Sequence, residues 1–343
     1  MMSIKILNPL KRRIFNFLTN SFQNSKNKEQ IKRLTKDSHI KVLISRPNHR
    51  LGNQLLITPL VQEVKKQFPN SEIHLVVNGN LSSILFSEFH YVEKIINLPK
   101  KPFNNILTYL SKTINLMSNK YDIAISGTAD SNSSKIFVKL SRAKFKIYNS
   151  GTNHQNKPVH IAKYPIYNFK TFFGSAKDLI DYNYTKLSIS LTNEEIKTGN
   201  QLLKGLFKND KDTICIFTYA TGNKCHSKEW WYELYEKLKS NFNDFNILEI
   251  LPVENVSQIN FLSTHLYSKD LREIASIIEN SVIFLGADSG MMHLSVSTNT
   301  TTVGFFNVTN PNLYGPYGDK NQSINTNSTP INEIMEKIKR LIR

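Results

Sequence analysis

The chain has 343 residues, 40% hydrophobic and 10% aromatic, a composition that supports packed cores and excludes an intrinsically disordered chain. No apolar run approaches the roughly 18 residues of a membrane span, and two cysteines, Cys215 and Cys225, suggest neither a disulfide framework nor a zinc cluster. The net charge of +17 is uneven: +7 over residues 1–37 (9 basic against 2 acidic), +12 over 38–190 (20 against 8) and −2 over 191–343 (15 against 17).

In chain order, residues 1–37 read as a basic helical extension. Ile14, Phe15, Phe17, Leu18 and Phe22 supply an apolar side, and Lys11, Arg12 and Arg13 supply charge. Such a helix lies in a membrane interface or packs on the domain behind it. Pro9 and the charges around it exclude a secretory signal, and the expected location is the cytoplasm.

From residue 38 strands alternate with helices. Apolar runs at 40–46, 72–78, 92–98, 121–127 and 145–150 read as buried parallel strands. Helical spacing covers 53–68 and 105–118; within the first, Thr58 and Pro59 either restart a helix or kink it. Residues 184–192 read as a linker. The alternation then resumes, with strands at 213–219, 245–251, 282–288 and 301–306. Helices are expected at 193–207, 228–242, 271–280 and 290–298, and an amphipathic helix closes the chain. This pattern predicts an α/β protein of two Rossmann-like, doubly wound parallel-sheet domains: 38–188 and 189–343, the latter including the terminal helix. Ligands are then expected at the carboxyl ends of strands in both.

The densest chemical signal is GADSGMMHLSVSTNTTTVGFFNVTNPNLYGPYG, residues 286–318. A buried strand ends at Asp288, and Ser289 and Gly290 open a helix whose free N–H groups can hold an anion. Gly290 leaves room for a phosphate, and His293 lies one turn on. The plainer reading is that Ser289 is only an N-cap and His293 only packs against a loop.

These residues closely resemble glycosyltransferase family nine, the ADP-heptose–lipopolysaccharide heptosyltransferases. The resemblance implies a GT-B fold facing an interdomain cleft, in which Asp288, Ser289, Gly290 and His293 line the donor diphosphate and sugar. TYATGNKCHSKEWW (218–231) resembles the family's lysine loop. Lys228 would then contact the donor phosphate, with Lys224 the second candidate and Thr221 in the same loop. Glu254 falls near a family glutamate of the donor pocket. SRPNHRLGNQLLITPL (45–60) resembles the family's first loop, where Gly52 permits the turn.

One departure matters. The family's proposed general base, an aspartate, is replaced by Asn53, which cannot accept a proton as a carboxylate does. His49, in the same loop, is the nearest titratable substitute. Arg46 and Arg50 flank the turn and suit an anionic acceptor. So does the acid-free stretch 135–146, with five basic residues.

The reading is thus an inverting, metal-independent glycosyl transfer. The nucleotide-diphosphate sugar is a co-substrate, ADP-heptose by resemblance, and no cofactor is expected. An anionic lipid-linked oligosaccharide is the acceptor, and the basic N-terminal half meets an anionic membrane at the inner face of the cytoplasmic membrane. Nucleic acid is not expected as a partner, since the basic residues join no recognition motif. The alternative is a non-catalytic nucleotide-sugar or lipid-binding relative that lost its base at Asn53.

Overall fold

The computed structural model describes residues 19, 22–25, 28–100, 105–128, 131–148, 157–174, 179 and 182–342. Most of the predicted N-terminal helical extension lies outside the described residues, which include a short helix Lys28–Lys32. The chain divides into two compact units. The first comprises residues 1–49, 59–83 and 89–185; the second comprises 50–58, 84–88 and 186–343.

In the first unit, strands β1 (Lys41–Ser45), β2 (Glu72–Asn78), β3 (Val92–Leu98), β4 (Lys120–Ser126) and β5 (Arg142–Ile147) form one sheet in the order β3-β2-β1-β4-β5. Every pairing is parallel. The central strands are apolar on both faces because helices cover both; Val42, Leu43 and Ile44 are fully buried. Helix Thr58–Gln67 begins where Pro59 denies the chain an N–H, and the Thr58 hydroxyl donates to the Leu55 carbonyl at 2.8 Å. The single helical stretch expected at 53–68 is therefore two helices, Leu51–Leu55 and Thr58–Gln67, the first grouped with the second unit.

The second unit repeats the plan. Its strands are β6 (Thr213–Phe217), β7 (Asn246–Ile250), β8 (Thr264–Leu266), β9 (Ile283–Ala287), β10 (Thr301–Phe306) and β11 (Gln322–Asn325). Their order is β11-β10-β9-β6-β7-β8, all parallel, which is the doubly wound Rossmann order. The terminal helix Ile331–Ile342 buries Ile334, Met335 and Ile338 against a core shared with Trp231, Leu234, Leu285 and Phe305. Helix Asn193–Phe207 opens with a complete capping box, Thr192 and Glu195 each bonding the other's backbone. Gly199 within it meets helix Leu271–Glu279 so closely that a Cβ there would collide with the Ser276 backbone carbonyl.

Candidate donor site in the second unit

In a doubly wound sheet, the strand order reverses between the first and fourth strands, and their diverging loops open a crevice. In the second unit those strands are β6 and β9, and the candidate residues gather at their carboxyl ends. Asp288, directly after β9, is buried; its backbone N–H donates to the Phe305 carbonyl at 3.1 Å. Its Oδ2 accepts from the Thr309 hydroxyl at 2.6 Å and from Lys224 Nζ at 3.3 Å. Lys224 comes from the loop after β6, where Gly222–Lys224 form a short 3₁₀ turn with Gly222 at φ +67°. Asn307 donates to the Asn223 carbonyl at 3.1 Å, and Asn327 donates to the Asn307 carbonyl at 2.7 Å. Three loops are thereby tied around one carboxylate, with a half-exposed ammonium beside it.

Ser289 caps helix Gly290–Val296, its side chain accepting from the Met292 N–H at 3.3 Å. The cap role is therefore real, yet the N–H groups of Gly290 and Met291 have no acceptor within the helix, as at any helix start. Helix Leu51–Leu55 packs on this start. A Cβ on Gly52 would lie 2.6 Å from His293 Cδ2, and one on Gly290 would lie 3.0 Å from Leu51 Cβ. Each glycine makes the other's approach possible. His293 is buried, its ring edge against Gly52, so the packing role also holds. Asn53 is the next residue on that short helix and is half-exposed.

The other candidates stand elsewhere. Lys228 is exposed at the first position of helix Lys228–Asn241, after the N-cap Ser227, so the lysine brought to Asp288 is Lys224. Thr221 is exposed at the start of the 3₁₀ turn, and Glu254 is exposed in the loop after β7. In the first unit, Arg46 is buried at the end of β1, where it donates to the Gly127 carbonyl at 3.0 Å and joins the ends of β1 and β4. His49 and Arg50 are exposed.

Sequence reasoning missed Glu249, a fully buried carboxylate one residue before the end of β7. It accepts from the Thr218 hydroxyl at 2.6 Å and the Ser257 hydroxyl at 2.7 Å. Those bonds tie the end of β6 to the loop that follows β7. Burial pushes its carboxyl above the ordinary value, and the two hydroxyls only partly offset this. A lone glutamate in the apolar run Asn246–Ile250 was the available signal. Among the described residues, no group of three His, Cys, Asp or Glu side chains is arranged to hold a metal ion.

Two parallel Rossmann-like units are the architecture of the GT-B class of glycosyltransferases. The profile of glycosyltransferase family 9 (heptosyltransferase) matches residues 111–340, and the chain belongs to that family of enzymes. Lipopolysaccharide heptosyltransferase 3 of Escherichia coli (strain K12) is 20% identical over 287 residues, 78% of this chain and 82% of the relative. The crystal structure of a family 9 glycosyltransferase from Veillonella parvula superposes with a TM-score of 0.69 at 18% identity, covering 90% of this chain and 92% of that one. The E. coli ADP-heptose lipopolysaccharide heptosyltransferase II gives 0.67 at 13% identity, covering 88% and 98%. The E. coli heptosyltransferase WaaC with ADP gives 0.63 at 16%, covering 88% and 100%.

Proposed function

We propose that this enzyme transfers a heptose from ADP-heptose to a lipopolysaccharide-core or related anionic, lipid-linked glycan, with inversion at the anomeric carbon, on the cytoplasmic side of a membrane. The observation that carries the reading is the cluster of Lys224, Asp288 and Thr309 at the β6/β9 switch point, beside the helix start at Ser289–Gly290. The ADP-bound and ADP-heptose-named relatives support the choice of donor.

The acceptor hydroxyl oxygen forms the new bond to the anomeric carbon. The bond from that carbon to the diphosphate oxygen breaks, and its electron pair leaves with ADP. Lys224 meets the charge that develops there; Asp288 holds the ammonium in place and Thr309 holds Asp288. Helix-start N–H groups add a second source of positive potential. In this reading these groups do what a metal ion does elsewhere, so the transfer proceeds without one. Lys228, Thr221 and Glu254 frame the outer part of the donor site, and Arg46, Arg50 and Gly52 serve the acceptor side.

The hydroxyl proton needs an acceptor, and Asn53 does not supply a carboxylate. His49 is the proposed substitute. Asn53 also favours a second reading, a relative that binds the donor without turning it over.

Release of ADP from ADP-heptose, with and without lipopolysaccharide-core acceptor, tests both. Acceptor-dependent release, reduced roughly 10²- to 10³-fold in kcat by Lys224→Ala, is the expected result. His49→Ala should abolish most of what remains, whereas Lys228→Ala should weaken donor binding only severalfold. Binding of ADP-heptose with no release, together with turnover restored by Asn53→Asp, would establish the non-catalytic reading.

A further inference from the structure

Helix Ile106–Ser118 of the first unit carries more apolar surface than its own domain covers. Leu116 is its one fully buried residue, and Tyr109 packs edge-on against Phe137 at 6.1 Å. Successive residues turn by about 100° around a helix, so Leu107, Leu110, Ile114 and Met117 form a second stripe beside the buried one. That stripe faces solvent: Leu107 is 84% exposed, Ile114 65%, Leu110 50% and Met117 36%. Ile106, at its edge, is 53% exposed.

The terminal helix Ile331–Ile342 shows what a surface helix of similar length does otherwise. It buries Ile334, Met335 and Ile338 and offers solvent the charged pairs Glu333–Lys337 and Glu336–Lys339. Helix Ile106–Ser118 offers no acidic residue at all. From Lys94 to Tyr121 the sequence holds five lysines and neither aspartate nor glutamate. Lys112 and Lys120 are exposed, and Lys94 reaches the helix to donate to Asn115 at 3.0 Å.

We propose that this face docks on an anionic lipid bilayer, with Leu107, Leu110, Ile114 and Met117 seated among the acyl chains. The lysines of the same acid-free stretch set a positive potential around the stripe that draws the phosphate headgroups in; Lys112 lies across the helix from the stripe, so its charge acts at a distance. An aliphatic stripe within an acid-free, lysine-bearing segment has the chemistry of an interfacial helix. The helix is about 20 Å long and lies in the plane of the surface rather than spanning it; among the described residues no helix is long and apolar enough to cross a membrane. A second copy of the chain is the poorer occupant, because a twofold contact would bring lysine-rich surfaces of like charge together. Nucleic acid is poorer too, since aliphatic side chains give bases nothing to stack upon. The proposal rests on the reading that the acceptor is lipid-linked, and it gives that acceptor a place to be met.

Flotation of the full chain with vesicles tests it, in the absence of donor and acceptor. Vesicles of phosphatidylethanolamine and phosphatidylglycerol should capture the protein, and vesicles of phosphatidylcholine alone should capture far less. Leu107→Ser with Ile114→Ser should lower capture about tenfold or more, since both side chains are exposed and neither holds the fold. Lys112→Glu with Lys120→Glu should lower it by a smaller factor, because these charges act on the headgroups at a distance, as should raised salt. Release of ADP with detergent-dispersed acceptor should be unchanged in all four substitutions. Capture unaltered by the serine pair, or no capture of the wild type, overturns the proposal. So does a wild-type dimer that the serine pair converts to monomer without any vesicle binding. Vesicle capture without ADP release from any donor would instead overturn the transferase reading and leave the docking face standing.

Discussion

Among the described residues each unit buries one glutamate completely, and the two are held in opposite ways. Glu63, on helix Thr58–Gln67, would be pushed up by burial. However, Lys170 at 2.8 Å, Thr185 and Tyr182 at 2.7 Å all bond its oxygens and bring it below its ordinary value. Glu249, in β7, has only the Thr218 and Ser257 hydroxyls, and burial keeps it above its ordinary value. The first is an ion pair that anchors the segment ahead of the second unit; the second is a hydroxyl network that fixes loops beside the proposed donor site. A buried carboxylate takes the charge state its neighbours can support. The basic first unit supplies a cation, and the slightly acidic second unit supplies hydroxyls.

Removing the partner of a buried charge should have the largest effect. Glu63→Ala leaves Lys170 largely buried without its counter-ion and should destabilise the protein by about 3–5 kcal/mol, read from urea unfolding. The pH dependence has a definite sign. Because the folded state lowers the pKa of Glu63, its stabilisation is present above the ordinary carboxyl value and is lost as pH falls through the lowered folded value. Glu63→Gln should therefore flatten the acid limb of the stability profile. A profile of unchanged shape would show that the ion pair contributes nothing.

Next in size is Gly52→Ala. A methyl 2.6 Å from His293 Cδ2 forces that ring or the short helix to move, at about 1–3 kcal/mol. Calorimetric titration with ADP should show weaker binding, because the Gly290 helix start moves with its neighbour. Unchanged affinity would separate this contact from the donor site.

Glu249→Leu follows, leaving the Thr218 and Ser257 hydroxyls without their acceptor at about 1–3 kcal/mol. The smallest effect belongs to Glu249→Gln. A raised folded value means that the favourable contribution of Glu249 is present at low pH and lost as pH rises through it. The amide removes that loss, so the variant should equal the wild type in acid and match or exceed it at neutral pH. A fall in stability at neutral pH would mean that the ionised carboxylate is favoured after all, and the contrast with Glu63 would vanish.

Much of the fold was legible because parallel strands buried on both faces are short, uninterrupted apolar runs. Glu72–Asn78, Val92–Leu98 and Thr301–Phe306 begin and end where those runs do. The edge strands Thr264–Leu266 and Gln322–Asn325 were not legible: an edge strand is covered on fewer sides and needs no apolar run. Of the site, Asp288, Ser289, Gly290 and His293 stood out as a local motif at a strand end. The contact of Lys224 with Asp288 did not, because 64 residues separate them and Lys228, four residues on, fits the same loop in sequence.

By itself the sequence determined what is local: which runs are strands, which glycines flank the loops, and where the basic charge lies. Tertiary structure decided what depends on pairing across the chain. It chose Lys224 as the partner of Asp288, brought residues 50–58 against the helix at Gly290, and gave Glu63 a cation and Glu249 two hydroxyls. It also left one side of helix Ile106–Ser118 bare. The reason is the same in each case: a period of apolar residues fixes the local backbone, but which distant side chain fills a neighbouring space follows only from how the elements pack.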